Sequence, residues 1–365
     1  MPIEIESPEE MGYANIDCNL MESSFSDAAL QDLDLDLNNL VLCYGSHRGK
    51  PELREMIASG SHVSPEDVLI TAGAAAALFI VSTSLLKSGD RIVVARPNYA
   101  TNIETPRAIG ASIEFMELSF EQNFRIDLDS LAEKLTPETN LVSLTFPHNP
   151  TGSTLTLNEL HRLIGLIESR NVLLILDETY REMAFSGILP NAAELSPKVI
   201  SVSSLSKTYG LPGIRTGWLS CRNPDLMQLF LAAKEQIMIC NSVVDEEIAF
   251  QFLEKKERYL PLICEKIESH FRIMKNWIES QNDLEWVEPT GGVVCFPRIK
   301  AECRTDAPRF YRILNERYKT FVGPGHWFEM DPRYMRIGYG WPKTDELLRG
   351  LQNISLAVSE SLRAL

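Results

Sequence analysis

The chain has 365 residues, 44% hydrophobic and 23% charged, a length that fits about two domains because single cores rarely grow beyond ~250–300 residues. Its 35 Lys and Arg against 50 Asp and Glu leave a net charge of −15, which repels nucleic-acid phosphates and anionic lipid and makes both poor partners. Seven cysteines with no C-x-x-C pair argue against a disulfide framework or a zinc ribbon, and no run approaches the ~20 apolar residues of a membrane span.

The opening MPIEIESPEE is acidic and lacks the basic start and apolar run of a signal peptide, so a cytoplasmic protein is expected. Val68-Leu69-Ile70 reads as a strand ending at Thr71-Ala72-Gly73, and Ala74–Leu86 as the helix after it. Arg91–Ala95 is a strand halted by Pro97, Ser112–Leu118 another, and Leu141–Phe146 a buried strand closed by a Pro/Asn/Gly turn. Leu155–Arg170 has helical spacing, Val172–Leu176 is a buried strand ending at Asp177, and Val199–Val202 leads through Ser203 into Ser204–Lys207. From Glu246 a long helix begins, with a bend expected near Pro261. Short strands at Val293–Phe296 and Met335–Gly338 and a closing helix from Thr344 complete the chain.

Buried strands alternating with amphipathic helices predict an α/β fold whose mostly parallel sheet is covered on both faces. The expected division is a large domain over 45–245 and a smaller α+β domain built from 1–44 and 246–365. Ligands of open parallel sheets sit beyond the carboxyl ends of the strands. The segments to read for chemistry are therefore Gly73-Ala74-Ala75, Pro97-Asn98-Tyr99, Asn149-Pro150-Thr151-Gly152, Asp177-Glu178-Thr179-Tyr180 and Ser204–Lys207.

Several motifs fail on inspection. Gly45–Lys50 is one residue short of a P-loop and is followed by Pro51. Asp32, Asp34 and Asp36 imitate a calcium loop, but Leu37 and Cys43 stand where Gly and Glu are needed. The six histidines show no H-x-x-x-H pair, and no metal is expected. Ser204-Leu205-Ser206-Lys207 matches the S-x-x-K of serine acyl-transfer enzymes, yet S-D-N and K-T-G are missing.

The run from Ser204 to Gly217, S-x-S-K-T-Y-G-L-P-G-I-R-T-G, places Arg215 eight residues after Lys207. With the Asn149-Pro-Thr-Gly turn and Asp177 three residues before Tyr180, it resembles the class I/II aminotransferases, fold type I enzymes that use pyridoxal 5'-phosphate. The likeness runs from about Tyr44 to Gly338. It implies a large domain with a seven-stranded, mostly parallel sheet between helices, a smaller α+β domain, and an amino-acid substrate with a 2-oxo acid as acceptor.

Residue roles follow from the resemblance. Lys207 would form the Schiff base with the cofactor aldehyde and move the α-proton, as a desolvated lysine amine can. Asp177 would keep the pyridine nitrogen protonated, and Tyr99 would stack on the ring. Tyr180 and Asn149 would bond the phenolic oxygen, Asn149 also touching the substrate. Gly73, Ala74 and Ala75, opening a helix, would hold the phosphate with Ser204 and Arg215. Arg336 would grip the substrate carboxylate bidentately. Tyr44 would reach the phosphate of the neighbouring subunit, implying a homodimer.

Some residues depart from the family pattern. Thr179 stands where an apolar residue is usual and Glu329 where Gly is common. The N-terminal segment is short and acidic; in the family this region helps close over the substrate, and Asn19–Phe25 is expected to take that part. Its Glu4, Glu6, Glu9, Glu10 and Glu22 suit a cationic side chain, although solvated surface acids explain them more simply. Because the scaffold also serves β/γ-elimination, replacement and ring closure on a guanidino amino acid, a PLP-dependent lyase or cyclase is the alternative to an aminotransferase.

Overall fold

The computed structural model describes residues 6–303 and 305–362. Its strands, in chain order, are β1 Cys18–Leu20, β2 Val68–Ala72, β3 Arg91–Arg96, β4 Ser112–Glu117, β5 Thr139–Thr145, β6 Leu173–Asp177 and β7 Val199–Ser204. Then follow β8 Thr216–Ser220, β9 Leu284–Glu285, β10 Val294–Cys295, β11 Arg298–Ile299, β12 Thr320–Pro324 and β13 Met335–Gly338.

Seven of these form one sheet in the order β2-β8-β7-β6-β5-β3-β4. Only β8 runs antiparallel to its neighbours. The near-continuous apolar runs of the parallel strands have a physical cause, because both sheet faces are covered. Val93, Val142 and Leu174 enter one core with Leu160, Leu163 and Ile167 of the helix Leu157–Ser169. Their neighbours Ile92, Leu141 and Ile175 enter the opposite core with Leu78, Val81 and Phe230. Successive strand residues point to opposite faces, so each strand feeds two layers. The helix Leu157–Ser169 starts at a capping box of Thr156 and Glu159, a feature that stabilises a helix start by about 1 kcal/mol.

A second sheet has the order β1-β12-β13-β10, with β1 parallel to β12 and the other pairs antiparallel. Its residues Leu20, Val322, Met335 and Ile337 share a core with Ile263, Ile267, Leu351 and Ile354 of the helices Lys256–Glu279 and Thr344–Ser361. β9 and β11 form a separate pair. Since β1 lies beside β12, residues 21–25 leave this sheet directly at the ends of the large one.

The long helix expected from Glu246 is two helices, Val243–Glu254 and Lys256–Glu279. The break falls at Lys255, whose φ of −110° and ψ of 11° leave the helical region, and Pro261 sits inside the second helix. Pro261 is the sixth residue of this helix, so its missing N–H leaves the Glu257 carbonyl without its i+4 donor, and the helix continues across that one lost bond. Among the described residues no helix is long and apolar enough to cross a membrane.

Candidate active site

The carboxyl ends of β5, β6 and β7 supply the floor of the site. Asp177, the last residue of β6, is buried, and its Oδ1 accepts from the Thr179 amide at 3.0 Å and the Thr179 hydroxyl at 2.6 Å. The amide would donate from any residue here but proline, so what Thr179 adds over an apolar residue is the hydroxyl donor that fixes the carboxylate. Burial raises the Asp177 carboxyl above the usual aspartate range, against those bonds and the Lys207 charge. Ser204, the last residue of β7, is buried and its Oγ accepts from the Ser206 amide at 3.3 Å.

Lys207 lies between the two sheets, its amine donating to Ser23 Oγ at 3.1 Å. This bond is with the N-terminal segment and not with Ser204, which does not favour an S-x-x-K nucleophile. Burial pushes the amine below the usual lysine range. Glu22 and Glu9 oppose that shift, while Arg336 and Arg215 add to it. Tyr180, also buried, donates its hydroxyl to the Ser23 carbonyl at 2.6 Å.

Arg336, in β13, donates to Asn149 Oδ1 at 3.1 Å and to the Met21 carbonyl at 2.6 Å. Its guanidinium lies 5.2 Å from the Phe328 ring centre and 5.8 Å from that of Trp327. Met21 and Ser23 lie in the segment expected to close over the substrate, but their bonds to Arg336, Lys207 and Tyr180, and the part of the two rings, were not foreseen. Two of those contacts are backbone carbonyls, which no residue type announces.

Asn149 is braced by His148, another residue missed. The His148 ring bonds the Pro97 carbonyl through Nε2 at 2.9 Å and the Thr151 hydroxyl through Nδ1 at 2.8 Å. A carbonyl only accepts, so Nε2 carries the hydrogen and Nδ1 accepts. Burial lowers its pKa to about 4, which keeps the ring neutral. The same loop carries Tyr99, half-buried at the start of the helix Ala100–Ile109, its amide donating to Asn98 Oδ1 at 2.8 Å. Asn98 Oδ1 also accepts from Thr145 Oγ1 at 2.9 Å and Asn102 Nδ2 at 3.2 Å. A buried polar chain thus ties the Tyr99 loop to the end of β5.

Gly73 opens the helix Gly73–Leu85 with φ +77°, and Ala74 and Ala75 continue it half-buried. A Cβ on Gly73 would lie 2.7 Å from Arg215 Nη2, and one on Gly217 would lie 2.5 Å from the Gly73 carbonyl carbon. Glycine at both positions lets β8, the helix start and the exposed Arg215 guanidinium close on one point. Amide donors, a helix amino end and a guanidinium converge there, the donor set that an oxyanion such as a phosphate needs. The arrangement fits the expected cofactor phosphate.

Tyr44 is not brought to this site in its own chain. It is 80% exposed beside exposed Val41 and Leu42. Glu329 adopts φ 56°, and its carboxylate bridges Arg107 at 2.7 Å and Arg96 at 3.6 Å. Glu4 lies outside the described residues.

Residues 18–354 match the family model for aminotransferases of class I and II. The capreomycidine synthase of Streptomyces vinaceus is 32% identical over 326 residues, covering 88% of this chain and 82% of that one. A PLP-dependent aminotransferase from Streptococcus suis has a crystal structure that superposes with a TM-score of 0.89 at 25% identity, over 97% of this chain and 96% of its own. The crystal structure of the PLP-dependent cyclase OrfR gives 0.87 at 26% identity and covers 99% of both chains. The chain therefore belongs to the class I and II aminotransferases and is a pyridoxal-phosphate-dependent enzyme of fold type I.

Proposed function

We propose that the enzyme acts at the α-carbon of an L-amino acid and passes its amino group to a 2-oxo acid. One observation carries this reading: Arg336, Lys207 and Tyr180, far apart in sequence, all donate to the three consecutive residues Met21–Ser23. A carboxylate grip and a desolvated amine then face one small space.

In this reading Arg336, with Asn149, holds the α-carboxylate and thereby decides which α-carbon bond is presented to Lys207. Lys207 attaches the cofactor and afterwards takes and returns the α-proton at Nζ, a task its depressed pKa suits. Bound there, the cofactor supplies an electron sink for the pair left at the α-carbon. Asp177 holds a proton on the pyridine nitrogen, Tyr99 covers the ring, and Tyr180 and Asn149 bond the phenolic oxygen. The amides of Gly73, Ala74 and Ala75, the Ser204 hydroxyl and Arg215 hold the phosphate.

The same reading divides the chain into a large domain, 45–245, and a small one from 1–44 and 246–365, with the site between. It has a homodimer in which Tyr44 completes the neighbouring phosphate site; its exposure beside Val41 and Leu42 supports this. A cytoplasmic location accords with the seven cysteines, all free.

A second reading, elimination or ring closure without an acceptor, is favoured by the likeness to capreomycidine synthase and to a cyclase over most of the chain. A panel of L-amino acids assayed with and without a 2-oxo acid separates the two. Turnover that requires the 2-oxo acid and consumes it supports amino transfer. Turnover without it, releasing water, ammonia or a cyclic product, replaces that reading with the second.

A further inference from the structure

Glu22 sits between the two residues that touch the reactive groups. Met21 accepts from Arg336, and Ser23 accepts from Lys207 and Tyr180. The Glu22 backbone is therefore fixed relative to both the carboxylate grip and the amine. Its side chain is half-buried and turns toward Tyr13, whose hydroxyl donates to Oε1 at 3.1 Å. No protein donor among the described residues reaches Oε2. The Tyr13 ring stacks on Trp341 at 6.1 Å and 14°, and the Trp341 indole donates to Asp27 Oδ2 at 2.9 Å.

Burial raises the Glu22 carboxyl above the usual glutamate range, with Glu9 and Asp27 adding to the shift and Lys207 and the Tyr13 hydroxyl opposing it. Lys266 stands nearby, but its amine is engaged with Ser26 and the Trp341 carbonyl and lies 5.2 Å from the Phe25 ring centre. Lys207 is committed to the chemistry and Arg336 to a carboxylate, so this wall holds more negative charge than the chain itself balances.

A separate observation shows that the pocket expects a ligand. The register pairs Asn19 with Phe321 and Arg336 with Gly323, which puts Asn19 and Arg336 on one face of the four-stranded sheet. Cys18 and Leu20 occupy the other face, against Gly350 of the last helix. Asn19 is 3% exposed. Its Oδ1 accepts from the Met21 amide at 3.1 Å, and its Nδ2 has no partner among the described residues. A buried donor without an acceptor is costly, and this one lies on the sheet face that carries Arg336.

We infer that Glu22, with the stacked rings of Tyr13 and Trp341, selects an amino-acid substrate whose side chain carries a cation, a guanidinium or an ammonium group. The inference rests on the amino-acid-enzyme reading above and names its substrate class. A guanidinium suits such a wall because it bonds a carboxylate and lies flat on an aromatic face at once.

The test uses the cofactor-loaded enzyme and two matched pairs, L-arginine with L-citrulline and L-lysine with L-norleucine. Turnover is followed by consumption of the amino acid, with binding by calorimetry. The wild type should prefer the charged member of at least one pair by about 10- to 100-fold in kcat/KM. Glu22→Gln, nearly isosteric, should abolish that preference, read as the ratio of charged to neutral kcat/KM, because its effect on the Lys207 amine falls on both members alike. Glu22→Lys should reverse it, and Glu22→Asp should keep part of it. A wild type that favours the neutral members, or a Glu22→Gln variant that keeps the preference, overturns the inference and leaves the enzyme reading standing. An enzyme that turns over no amino acid of any side chain overturns the enzyme reading itself.

Discussion

The floor and the roof of the site are built by different means. The floor is the row of strand ends at Thr145, Asp177 and Ser204, each at the edge of a sheet packed on both faces and held by bonds within that layer. The roof is the segment after β1, a strand of only three residues, held to the floor through Ser23, which bonds Tyr180 and Lys207, and through the Phe25 and Ala28 amides, which donate to the Lys207 and Gly210 carbonyls. Groups that must be placed to within about half an ångström belong on rigid elements; Asp177 is the last residue of β6, and Lys207 follows the end of β7 by three residues. A segment with few anchors is where selection can vary at small cost, and Glu22 lies there.

Removing the reactive amine tests the floor most severely. Lys207→Ala should lower turnover by more than about 10³-fold and leave no cofactor fixed to the protein by borohydride, as read by intact mass. A persisting covalent adduct would move the chemistry to another residue.

The floor also carries a stability cost. Glu178, next to Asp177 and buried, is pushed up to about 7 by burial, against the Arg181 charge and bonds from Ser201 and Ala192. An acid raised from its ordinary 4.5 to about 7 binds more protons folded than unfolded between those values. Stability should therefore be greatest below the unfolded value and fall as pH rises toward 7, by about 3 kcal/mol in total. Urea unfolding of the cofactor-free protein from pH 4.5 to 8 reads this slope. Glu178→Gln should flatten it, and an unchanged slope would assign the cost elsewhere.

How much of this was legible beforehand follows the same division. Strand ends announce themselves, because an apolar run stopped by Asp, Asn or Gly is both a local boundary and a ligand edge; β13 and the closing helix begin where the residues predict. β8 was not read as a strand, since Thr-Gly-Trp-Leu-Ser has no alternation and pairs antiparallel with partners distant in sequence. β1 is too short for any period, and its register comes from β12, some 300 residues away. The roof's contacts at Met21 and Ser23 are largely carbonyls, invisible to residue type. The long helix breaks at Lys255, whose amine bonds the Asp34 carbonyl and carboxylate, while Pro261, the obvious breaker, is tolerated.

The phosphate cradle joins floor to helix, and its glycines give a smaller effect. Gly217→Ala puts a methyl 2.5 Å from the Gly73 backbone, so β8 and the helix start must separate. Overpacking of this kind costs about 1–3 kcal/mol. The expected result is a lower melting temperature and release of cofactor on dialysis that the wild type withstands. Retained cofactor with lowered stability would show that the close approach serves packing alone.

The smallest expected effect is at the roof. Ser23→Ala removes the one side-chain acceptor that the Lys207 amine has among the described residues but leaves the Ser23 carbonyl for Tyr180 and the Met21 carbonyl for Arg336. A hydroxyl that accepts from an ammonium favours the protonated amine, so its loss should move cofactor capture toward lower pH. At a fixed pH below the midpoint, capture should quicken by about fivefold, the worth of one such hydrogen bond. Stopped-flow absorbance on mixing cofactor with the cofactor-free protein, repeated across pH, reads both the rate and the midpoint. Slower capture at every pH would mean that Ser23 instead orders Lys207 for attack, and the roof would then belong to the chemistry as much as the floor does.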